Sequence, residues 1–411
     1  MNRALAIVDG EHYASTVRDA LEELPYEFVA AYLIGGTEKL RGGEEYGVPL
    51  VDSLEEGVGH EPDVVVDLSD EPVLGPVERL RLASRVLALG FPYVGADFRF
   101  DPPRLEPFDL PSIGIVGTGK RVGKTAVAGY AARLLSERYD LVVVAMGRGG
   151  PAAPEVADVR PTLDDLLALS RSGRHAASDY LEDAALAGVP TIGCRRAGGG
   201  LAGAPFASNV EAGAALAAER SPDLVLFEGS GAAFPPVETR KRVLVVGGAT
   251  RPEVAAGYLN AYRILVSDLV VVVGGNSMIR AAIAELTDVP VLDVDLRARP
   301  VEPVDGAAAV FTTAREDVLP SIERALVEQG VEVAFVSGAL ADRGRLRREL
   351  ESVDAGTFLV ELKAAAIDVV AEAAAERGAR VVFLDNEVVG DGFDEELLAL
   401  AEAAVGERVG A

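Results

Sequence analysis

A glycine-rich turn that ends in lysine and threonine carries the strongest chemical signal in this sequence. Residues 117–125 read Gly-Thr-Gly-Lys-Arg-Val-Gly-Lys-Thr, after an apolar run at 113–116 that predicts a strand and before a helix-like segment at 126–138. In such a unit, the backbone N–H groups of the turn and the helix N-terminus bind phosphate. Lys124 can reach the β- and γ-phosphates of a nucleotide, and the Thr125 hydroxyl can bind Mg²⁺. The turn therefore predicts a nucleoside triphosphate site.

The turn departs from the strict phosphate-loop pattern at one position. That pattern has glycine five residues before Gly123, where this chain has Thr118, and the glycine comes one residue earlier, at Gly117. ATP-driven switch proteins carry a signature lysine where this chain has Gly119, which argues against a switch. An ordinary turn between strand and helix is the other alternative. The predicted nucleotide contacts are Gly117, Thr118, Gly119, Lys120, Arg121, Val122, Gly123, Lys124, Thr125 and Ala126.

An acidic residue follows another predicted strand. Glu228-Gly-Ser-Gly comes directly after the apolar run at 224–227. A carboxylate at the carboxyl end of a core parallel strand lies where a phosphate-loop enzyme needs a Mg²⁺ ligand. Glu228 is therefore predicted to bind Mg²⁺ together with Thr125, and a strand-end acid that faces water is the alternative.

Arginines next to glycines follow two further predicted strands. Residues 194–203 read Cys-Arg-Arg-Ala-Gly-Gly-Gly-Leu-Ala-Gly after a strand at 191–193, and 148–151 read Arg-Gly-Gly-Pro after one at 141–145. Arginine forks combined with exposed backbone donors bind anions, so they predict a phosphorylated or carboxylated co-substrate. A flexible turn with solvated arginines is the alternative. The predicted substrate contacts are Arg148, Arg195, Arg196, Gly198, Gly199, Gly200, Arg240 and Lys363, of which the first three, with Lys124, are also predicted to be catalytic.

Composition excludes several classes of protein. The formal net charge of −26 argues against binding to nucleic acid or to anionic membranes. No apolar run approaches the roughly 20 residues that span a bilayer. The three histidines are far apart in sequence, which argues against a His/Cys zinc site. Cys194 is the one cysteine; it suits a reducing cytoplasm and, without a neighbouring base, is predicted to be a small buried residue.

Strand-like and helix-like segments alternate along nearly the whole chain, which predicts an α/β architecture with parallel sheets. A chain of 411 residues is too long for one compact domain. We predict an N-terminal Rossmann-like α/β domain at 1–110, a central P-loop NTPase-type parallel sheet at 111–300 and a C-terminal α/β domain at 301–411. The last domain is predicted to contain a helix at 364–375.

The segments 117–125, 148–151, 194–203 and 228–231 together resemble the cyclic 2,3-diphosphoglycerate synthetase family, with a phosphate loop similar to that of dethiobiotin synthetase. The resemblance extends to Val-Asp-Gly-Glu-His at 8–12 and Lys-Ala-Ala-Ala at 363–366. It implies an enzyme that uses ATP and Mg²⁺ to close 2,3-diphosphoglycerate into an intramolecular phosphoanhydride, with release of ADP and phosphate. It also implies a cytoplasmic homodimer whose product serves as an osmolyte and thermoprotectant.

Two other functions remain open at this stage. One is an ATP-dependent carboxylate ligase of the dethiobiotin synthetase or cobyric acid amidating type, which also phosphorylates an anionic oxygen. The other is a non-enzymatic ATP switch, although such a switch has no need of the arginine–glycine segment at 194–203. A ligase requires an amine or CO₂ source, whereas a cyclising enzyme does not.

Overall fold

The computed structural model describes residues 1–173, 178–363 and 366–406, and these form a mixed α/β protein. The strands are Asn2–Val8 (β1), Tyr26–Leu33 (β2), Leu50–Val51 (β3), Val64–Asp67 (β4), Tyr93–Val94 (β5), Arg99–Phe100 (β6), Ser112–Gly117 (β7), Leu141–Gly147 (β8), Glu155–Ala157 (β9), Thr191–Ala197 (β10), Ala207–Ser208 (β11), Leu224–Glu228 (β12), Lys241–Gly247 (β13), Leu269–Val273 (β14), Val291–Pro300 (β15), Ala307–Phe311 (β16), Glu332–Ser337 (β17), Thr357–Glu361 (β18) and Arg380–Val389 (β19). The α-helices are Ala14–Glu23 (α1), Leu54–Val58 (α2), Pro76–Ala88 (α3), Lys124–Ser136 (α4), Leu163–Arg171 (α5), Asp179–Ala187 (α6), Val210–Glu219 (α7), Pro252–Ala255 (α8), Asn260–Leu265 (α9), Ser277–Ala284 (α10), Leu319–Glu328 (α11), Arg343–Ser352 (α12), Glu372–Arg377 (α13) and Phe393–Gly406 (α14).

The chain divides into two compact units, each built from segments that are distant in sequence. Unit 1 comprises Met1–Arg104, Thr250–Ser267 and Ser277–Val289, and unit 2 comprises Leu105–Ala249, Asp268–Asn276 and Pro290–Ala411. The division into three domains at 1–110, 111–300 and 301–411 stays a prediction. The predicted helix at 364–375 begins at two positions outside the described residues; after them, Ala366–Ala371 form a π-helical segment that leads into α13.

Unit 1 is built on a sheet with the strand order β3-β2-β1-β4-β5-β6, parallel except that β6 runs antiparallel to β5. The apolar residues of β1 are buried on both faces, as expected for an inner parallel strand. Asp9 follows β1 and is fully buried. Its carboxylate accepts hydrogen bonds from the Glu11 N–H (2.9 Å) and the Asp70 N–H (2.6 Å), and lies 2.8 Å from Nδ1 of His12. Asp9 thereby joins the loops that follow β1 and β4.

Unit 2 contains one continuous sheet with the order β11-β10-β8-β12-β7-β13-β14-β15-β19-β18-β16-β17, and β9 pairs with β10. The strands from β10 to β15 in this order are mutually parallel, so their carboxyl ends meet at one edge. The phosphate-turn strand β7 lies inside this half, and its Ile113 and Ile115 are fully buried. The sheet therefore brings the turns after β7, β8, β10 and β12 to the same edge, as expected for an open α/β sheet.

Strand β15 connects the two halves of this sheet. Val291–Val294 pair in parallel with β14, and Asp295–Pro300 continue past it to pair antiparallel with β19. Because β19 and β18 are parallel to each other, β18 runs back toward the phosphate turn. This arrangement brings Lys363, two residues after β18, into the same unit as the turn.

Candidate active site

The turn between β7 and α4 has the conformation that its glycines require. The Gly117 N–H donates to the Gly231 carbonyl (3.1 Å), and the Thr118 N–H donates to the Val245 carbonyl (3.0 Å). Gly123 has φ +91°, and a Cβ there would lie 3.0 Å from the Val273 side chain. The predicted order of strand, turn and helix is confirmed, with the helix starting at Lys124. All the predicted nucleotide contacts, residues 117–126, lie in this turn and the helical turn that follows.

Lys124 pairs with Glu228 across the sheet edge. The ammonium group of Lys124 donates a hydrogen bond to Oε1 of Glu228, and the two side chains are only 10% and 1% exposed. Burial opposes ionisation of Glu228, but the charge and hydrogen bond of Lys124 hold the pKa of that carboxyl below its usual value. The ion pair therefore favours the charged form of Glu228, and the acid at the end of β12 faces the phosphate turn.

Three acidic side chains of helix α6 lie beside this ion pair. Asp179, Glu182 and Asp183 share one helix face, because residues three and four positions apart are neighbours on a helix. Burial raises the pKa of Asp183 well above its usual value, and the nearby charge of Glu228 acts in the same direction. The same two causes raise the pKa of Asp179, whose Oδ2 lies 3.0 Å from where a Cβ on Gly147 would be. The phosphate turn thus has a largely buried acidic wall.

Lys363, a predicted substrate contact, is bound to this acidic wall. Its ammonium group lies 2.5 and 2.6 Å from the two carboxylate oxygens of Glu182. Burial raises the pKa of Glu182 to about 7, although Lys363 acts in the opposite direction. Glu361, at the end of β18, accepts hydrogen bonds from the Thr312 hydroxyl (2.8 Å) and the Thr313 N–H (2.6 Å). Lys363 is thus near the site, but its charge is already paired.

Arg148 and Arg196 bring their guanidinium groups to the same point. A Cβ on Gly231, which has φ +60°, would lie 3.4 Å from Nη2 of Arg148 and 3.8 Å from Nη2 of Arg196. The same point is 4.0 Å from the carbonyl oxygen of Gly119, in the phosphate turn. The structure therefore places two arginines from separate loops next to the turn. Among the described residues, the Arg148 side chain makes no ion pair or hydrogen bond.

The adjacent arginines of β10 do not point the same way. The sequence predicted that the strand ends at Gly193, but it continues to Ala197. Since successive side chains of a strand leave opposite faces, Arg195 and Arg196 diverge. Arg196 donates to the carbonyl oxygens of Ser230 (2.8 Å) and Gly198, whereas the exposed Arg195 side chain makes no ion pair or hydrogen bond within the described ranges.

Part of the glycine segment that was predicted to bind an anion forms hydrogen bonds within its own turn. The Gly200 N–H donates to the Ala204 carbonyl (2.8 Å), and the Gly203 N–H donates to the Gly200 carbonyl (3.0 Å). The Gly200 N–H is therefore engaged within its own turn. Gly198 accepts from Arg196, and a Cβ on Gly199 would lie 3.3 Å from Nη1 of that arginine. The turn at 198–204 thus holds Arg196 in place.

Arg240 lies away from the phosphate turn. Its N–H donates to the Ser112 hydroxyl (3.2 Å), and its Nη1 donates to the Ala404 carbonyl (2.9 Å). Ser112 begins β7, whereas the phosphate turn follows the end of that strand. A strand of this length spans roughly 20 Å. The structure thus does not bring Arg240 to the other predicted substrate contacts.

Comparison with known protein families matches three consecutive parts of the chain. Models described as the N-terminal domain, the P-loop domain and the C-terminal domain of cyclic 2,3-diphosphoglycerate synthetase match residues 3–101, 112–293 and 300–387, respectively. The cyclic 2,3-diphosphoglycerate synthetase of Rubrobacter xylanophilus is 47% identical, with 99% of each chain covered. This chain belongs to the cyclic 2,3-diphosphoglycerate synthetase family.

Relatives in other organisms match over almost their full lengths. The cyclic 2,3-diphosphoglycerate synthetase of Pyrococcus abyssi is 42% identical, with 99% of this chain and 100% of that protein covered. That of Thermococcus kodakarensis is 41% identical, with 98% and 99% covered. The similarity to dethiobiotin synthetase remains a prediction from the phosphate-turn motif. No helix in the described parts of the chain is long and apolar enough to cross a membrane.

The residues of this cyclic 2,3-diphosphoglycerate synthetase family member fit a magnesium ion bound mainly by phosphate and water. Across the described ranges, no group of three or more His, Cys, Asp or Glu side chains is arranged to hold a metal by itself. Mg²⁺ in nucleotide sites usually takes one or two carboxylates plus phosphate oxygens. Within the part of the chain that the structure describes, Oε2 of Glu228 is buried and accepts no hydrogen bond from an N–H group or a hydroxyl, and Thr125 lies in the first turn of α4. A hard cation would satisfy that orphaned oxygen.

Sequence reasoning missed the acids of α6 altogether. The segment 179–187 reads Asp-Tyr-Leu-Glu-Asp-Ala-Ala-Leu-Ala, an apolar helix with acids at its first, fourth and fifth positions. An acidic stripe on such a helix normally faces solvent. The sequence contains one indication of this site: the opposite face of the helix is apolar. Its residues Leu181, Ala184 and Ala185 are also buried in the structure. A helix buried on both faces must pair its acids inside the protein.

Proposed function

We propose that this protein uses ATP to convert 2,3-diphosphoglycerate into cyclic 2,3-diphosphoglycerate, with release of ADP and phosphate. The observation that carries the proposal is the 47% identity, over 99% of each chain, to a protein named for this product. The site supports it, because Arg148 and Arg196 lie next to the phosphate turn. A substrate with two phosphates and a carboxylate needs several cations from different loops.

Each group of the site has a role in binding. The turn at 117–126 holds the phosphates of ATP, and Lys124 exchanges its Glu228 partner for the γ-phosphate. Arg148 has no protein partner among the described residues and is free to bind a substrate phosphate. Arg195, exposed at the same sheet edge, contributes a second fork. Arg196, fixed by the Ser230 and Gly198 carbonyls, supplies positive charge at a defined position.

The proposed reaction has two displacement steps. First, an oxygen of one substrate phosphate attacks the γ-phosphorus of ATP, the bond to the bridging oxygen breaks, and ADP leaves. Then an oxygen of the other substrate phosphate attacks the phosphorus of the phosphorylated group. The bond between that phosphorus and the oxygen that bridges to the transferred phosphoryl breaks, this oxygen leaves with the phosphoryl as inorganic phosphate, and the ring closes. Both nucleophiles are already anionic, so the arginines accelerate the reaction by proximity and charge neutralisation and no base is needed.

Mg²⁺ would be held by Thr125 and Glu228 and, when bound, neutralises charge on the transferring phosphoryl group. The protein's own contribution is to keep Glu228 ionised in a buried site through Lys124.

We also propose that the enzyme works in the cytoplasm as a homodimer. The single buried cysteine suits a reducing compartment, and light scattering of the purified protein tests the dimer.

Phosphorus NMR tests the proposed activity directly. The purified protein is incubated with ATP, Mg²⁺ and 2,3-diphosphoglycerate, and we expect signals of an internal phosphoanhydride together with ADP and inorganic phosphate. Lys124→Met serves as the control and should give none of them. If product forms only when an amine or CO₂ is added, the protein is a ligase. If ATP is hydrolysed only with a protein partner, it is a switch.

Oxygen-18 in the β–γ bridge of ATP tests the phosphorylated intermediate. Reversible transfer of the γ-phosphoryl to substrate frees the β-phosphate to rotate, so the label scrambles to non-bridging positions. We expect scrambling that depends on 2,3-diphosphoglycerate. Recovered ATP that keeps its label in place during turnover counts against a reversibly formed intermediate.

A further inference from the structure

We propose that Asp183 is a second carboxylate ligand of the magnesium ion that enters with ATP, so that helix α6 forms part of the metal site. The inference rests on the proposed use of ATP with Mg²⁺ but not on the identity of the second substrate. It gives a metal-binding role to Asp183, a residue that belongs to none of the motifs found in the sequence.

Two orphaned oxygen atoms carry the inference. Oε2 of Glu228 and Oδ2 of Asp183 are both buried, and neither accepts a hydrogen bond from an N–H group or a hydroxyl of the described residues. The two carboxyl groups lie next to each other, so either a shared proton or a shared cation must satisfy both oxygens. The residues themselves are only 1% and 3% exposed. A buried carboxylate oxygen that accepts no hydrogen bond is destabilising, because burial removes the water that would solvate it. A cation that prefers oxygen ligands removes that cost for both atoms at once.

The position of Asp183 also fits. Its carboxyl group lies within hydrogen-bonding reach of Glu228, which in turn binds Lys124 at the start of α4. Thr125 is the next residue of that helix, and α4 packs against α6. Hence Asp183, Glu228 and Thr125 converge on the turn that binds the phosphates. An ion held there by two carboxylates and one hydroxyl would still have positions for phosphate oxygens.

The other acids of α6 are less suitable. Both carboxylate oxygens of Glu182 are engaged by Lys363, at 2.5 and 2.6 Å. Asp179 is only partly buried and lies over Gly147, at the start of the Arg148 loop. Asp183 alone among the described acids of this helix combines full burial with an oxygen that accepts no hydrogen bond from an N–H group or a hydroxyl.

The experiment measures how strongly metal and nucleotide support each other's binding. The affinity of the full-length protein for the ATP analogue AMP-PNP is determined by calorimetry, once with EDTA and once with saturating Mg²⁺. The ratio of the two affinities is the coupling between metal and nucleotide. For Asp183→Asn we expect an affinity in EDTA no weaker than that of wild type, because the variant loses an acid beside the phosphates. With saturating Mg²⁺ we expect an affinity at least about tenfold weaker than that of wild type and a matching loss of coupling, comparable to Glu228→Gln. Glu182→Gln, on the same helix, is the matched control and should keep the coupling.

Asp183→Asn also separates the metal role from a structural one. An Asp183 that merely donates a hydrogen bond to Glu228 would be replaced well by asparagine, whose amide can donate the same bond. Full coupling in folded Asp183→Asn therefore overturns the proposal. If wild type shows the coupling and Asp183→Asn loses it, but wild type makes no cyclic product, the proposed function fails and the metal ligand stands. If wild type makes product and Asp183→Asn couples normally, only the ligand fails.

A second variant covers the case in which asparagine prevents folding. Asp183→Cys offers a thiolate, which binds soft metals in preference to Mg²⁺. We expect this variant to lose coupling with Mg²⁺ and to regain it with Cd²⁺, while wild type shows no such reversal. Equal coupling with Mg²⁺ in Asp183→Cys and wild type would also overturn the proposal.

Discussion

Lys124 and Glu228 form a buried ion pair that joins the phosphate turn to the end of the neighbouring strand β12. The pair places the phosphate-binding cation and the proposed metal ligand in direct contact. In the proposed mechanism, the phosphate becomes the new partner of Lys124 and Mg²⁺ becomes the new partner of Glu228. The same contact also makes each partner depend on the other for its stability, because an unpaired charge at this depth is unfavourable.

This dependence gives the first prediction. Lys124→Met leaves Glu228 as an uncompensated buried anion and should lower the free energy of unfolding by about 3–5 kcal/mol. The double variant Lys124→Met/Glu228→Gln removes both charges and should recover most of that loss. Urea denaturation of the three proteins measures the effect. A double variant as unstable as Lys124→Met would mean that packing of the lysine, and not its charge, supports the fold.

Arg195→Ala should affect substrate binding alone. The side chain is exposed and unpaired within the described residues, so the free energy of unfolding should change by no more than about 0.5 kcal/mol. Loss of one charged contact to a phosphate should raise the KM for 2,3-diphosphoglycerate at least about tenfold and lower turnover, with ATP binding spared. Steady-state kinetics with each substrate varied in turn measures this. Normal turnover of 2,3-diphosphoglycerate by this variant would reject the role of Arg195.

Arg196→Ala should behave differently, because its guanidinium group connects two loops. Loss of its bonds to the Ser230 and Gly198 carbonyls should lower the free energy of unfolding by about 1–3 kcal/mol. Turnover should fall as well, since Ser230, which Arg196 holds, is two residues after Glu228 at the end of β12. Arg196→Lys is the matched control: one ammonium group replaces the planar fork poorly, so it should rescue charge but not stability. Thermal unfolding that is unchanged in both variants would contradict this structural role.

Local patterns were enough to predict the α/β class and the phosphate turn. The glycines and Lys124 had to follow a strand and open a helix, and an apolar run before them supplied the strand. The position of Glu228 beside the phosphate turn could be predicted for a similar reason, because strand ends of parallel sheets meet at one edge. The side-chain directions of Arg195 and Arg196 could not be predicted. They point to opposite faces because both residues lie within β10, which the sequence pattern ended before them. The pairing with β11, at Ala207–Ser208, extends that strand past Gly193.

Arg240 and the acids of α6 show a second limit of prediction from sequence, which is that distance along the chain does not give distance in the fold. Arg240 follows Glu228 closely in sequence, yet the chain returns to the opposite edge before β13 begins, so proximity in sequence was misleading. Asp183 comes far before Glu228 in the chain and meets it only through the packing of α6 on the sheet. Such a contact has no local sequence pattern, and only the assembled fold shows that the helix is buried on its acidic face.

Cys194 provides a test of the packing behind β10. Its side chain is buried, and a Cβ on Gly213 of α7 would lie 2.3 Å from its Sγ atom. Burial raises the pKa of Cys194 to about 12, from an ordinary value of 9.0. The thiol should therefore be inert toward thiol reagents at neutral pH until the protein unfolds. Rapid labelling of native protein would show that this face of the sheet opens.

The same shift in pKa makes the stability of the protein depend on alkaline pH. The Cys194 thiol ionises less readily in the folded state than in the unfolded state. Below pH 9.0 the thiol is neutral in both states and the folded protein has its full stability. As pH rises toward about 12, ionisation of the thiol favours the unfolded state and stability is lost. The difference in unfolding free energy between wild type and Cys194→Ala should therefore move in favour of alanine by roughly 1.4 kcal/mol per pH unit above 9. Urea denaturation at pH 8.0 and pH 10.5 measures a change of about 2 kcal/mol, since this interval includes about 1.5 units above the ordinary value. Other titrating groups are common to both proteins and cancel in the difference. A constant difference across this range would mean that water reaches Cys194 in the folded protein.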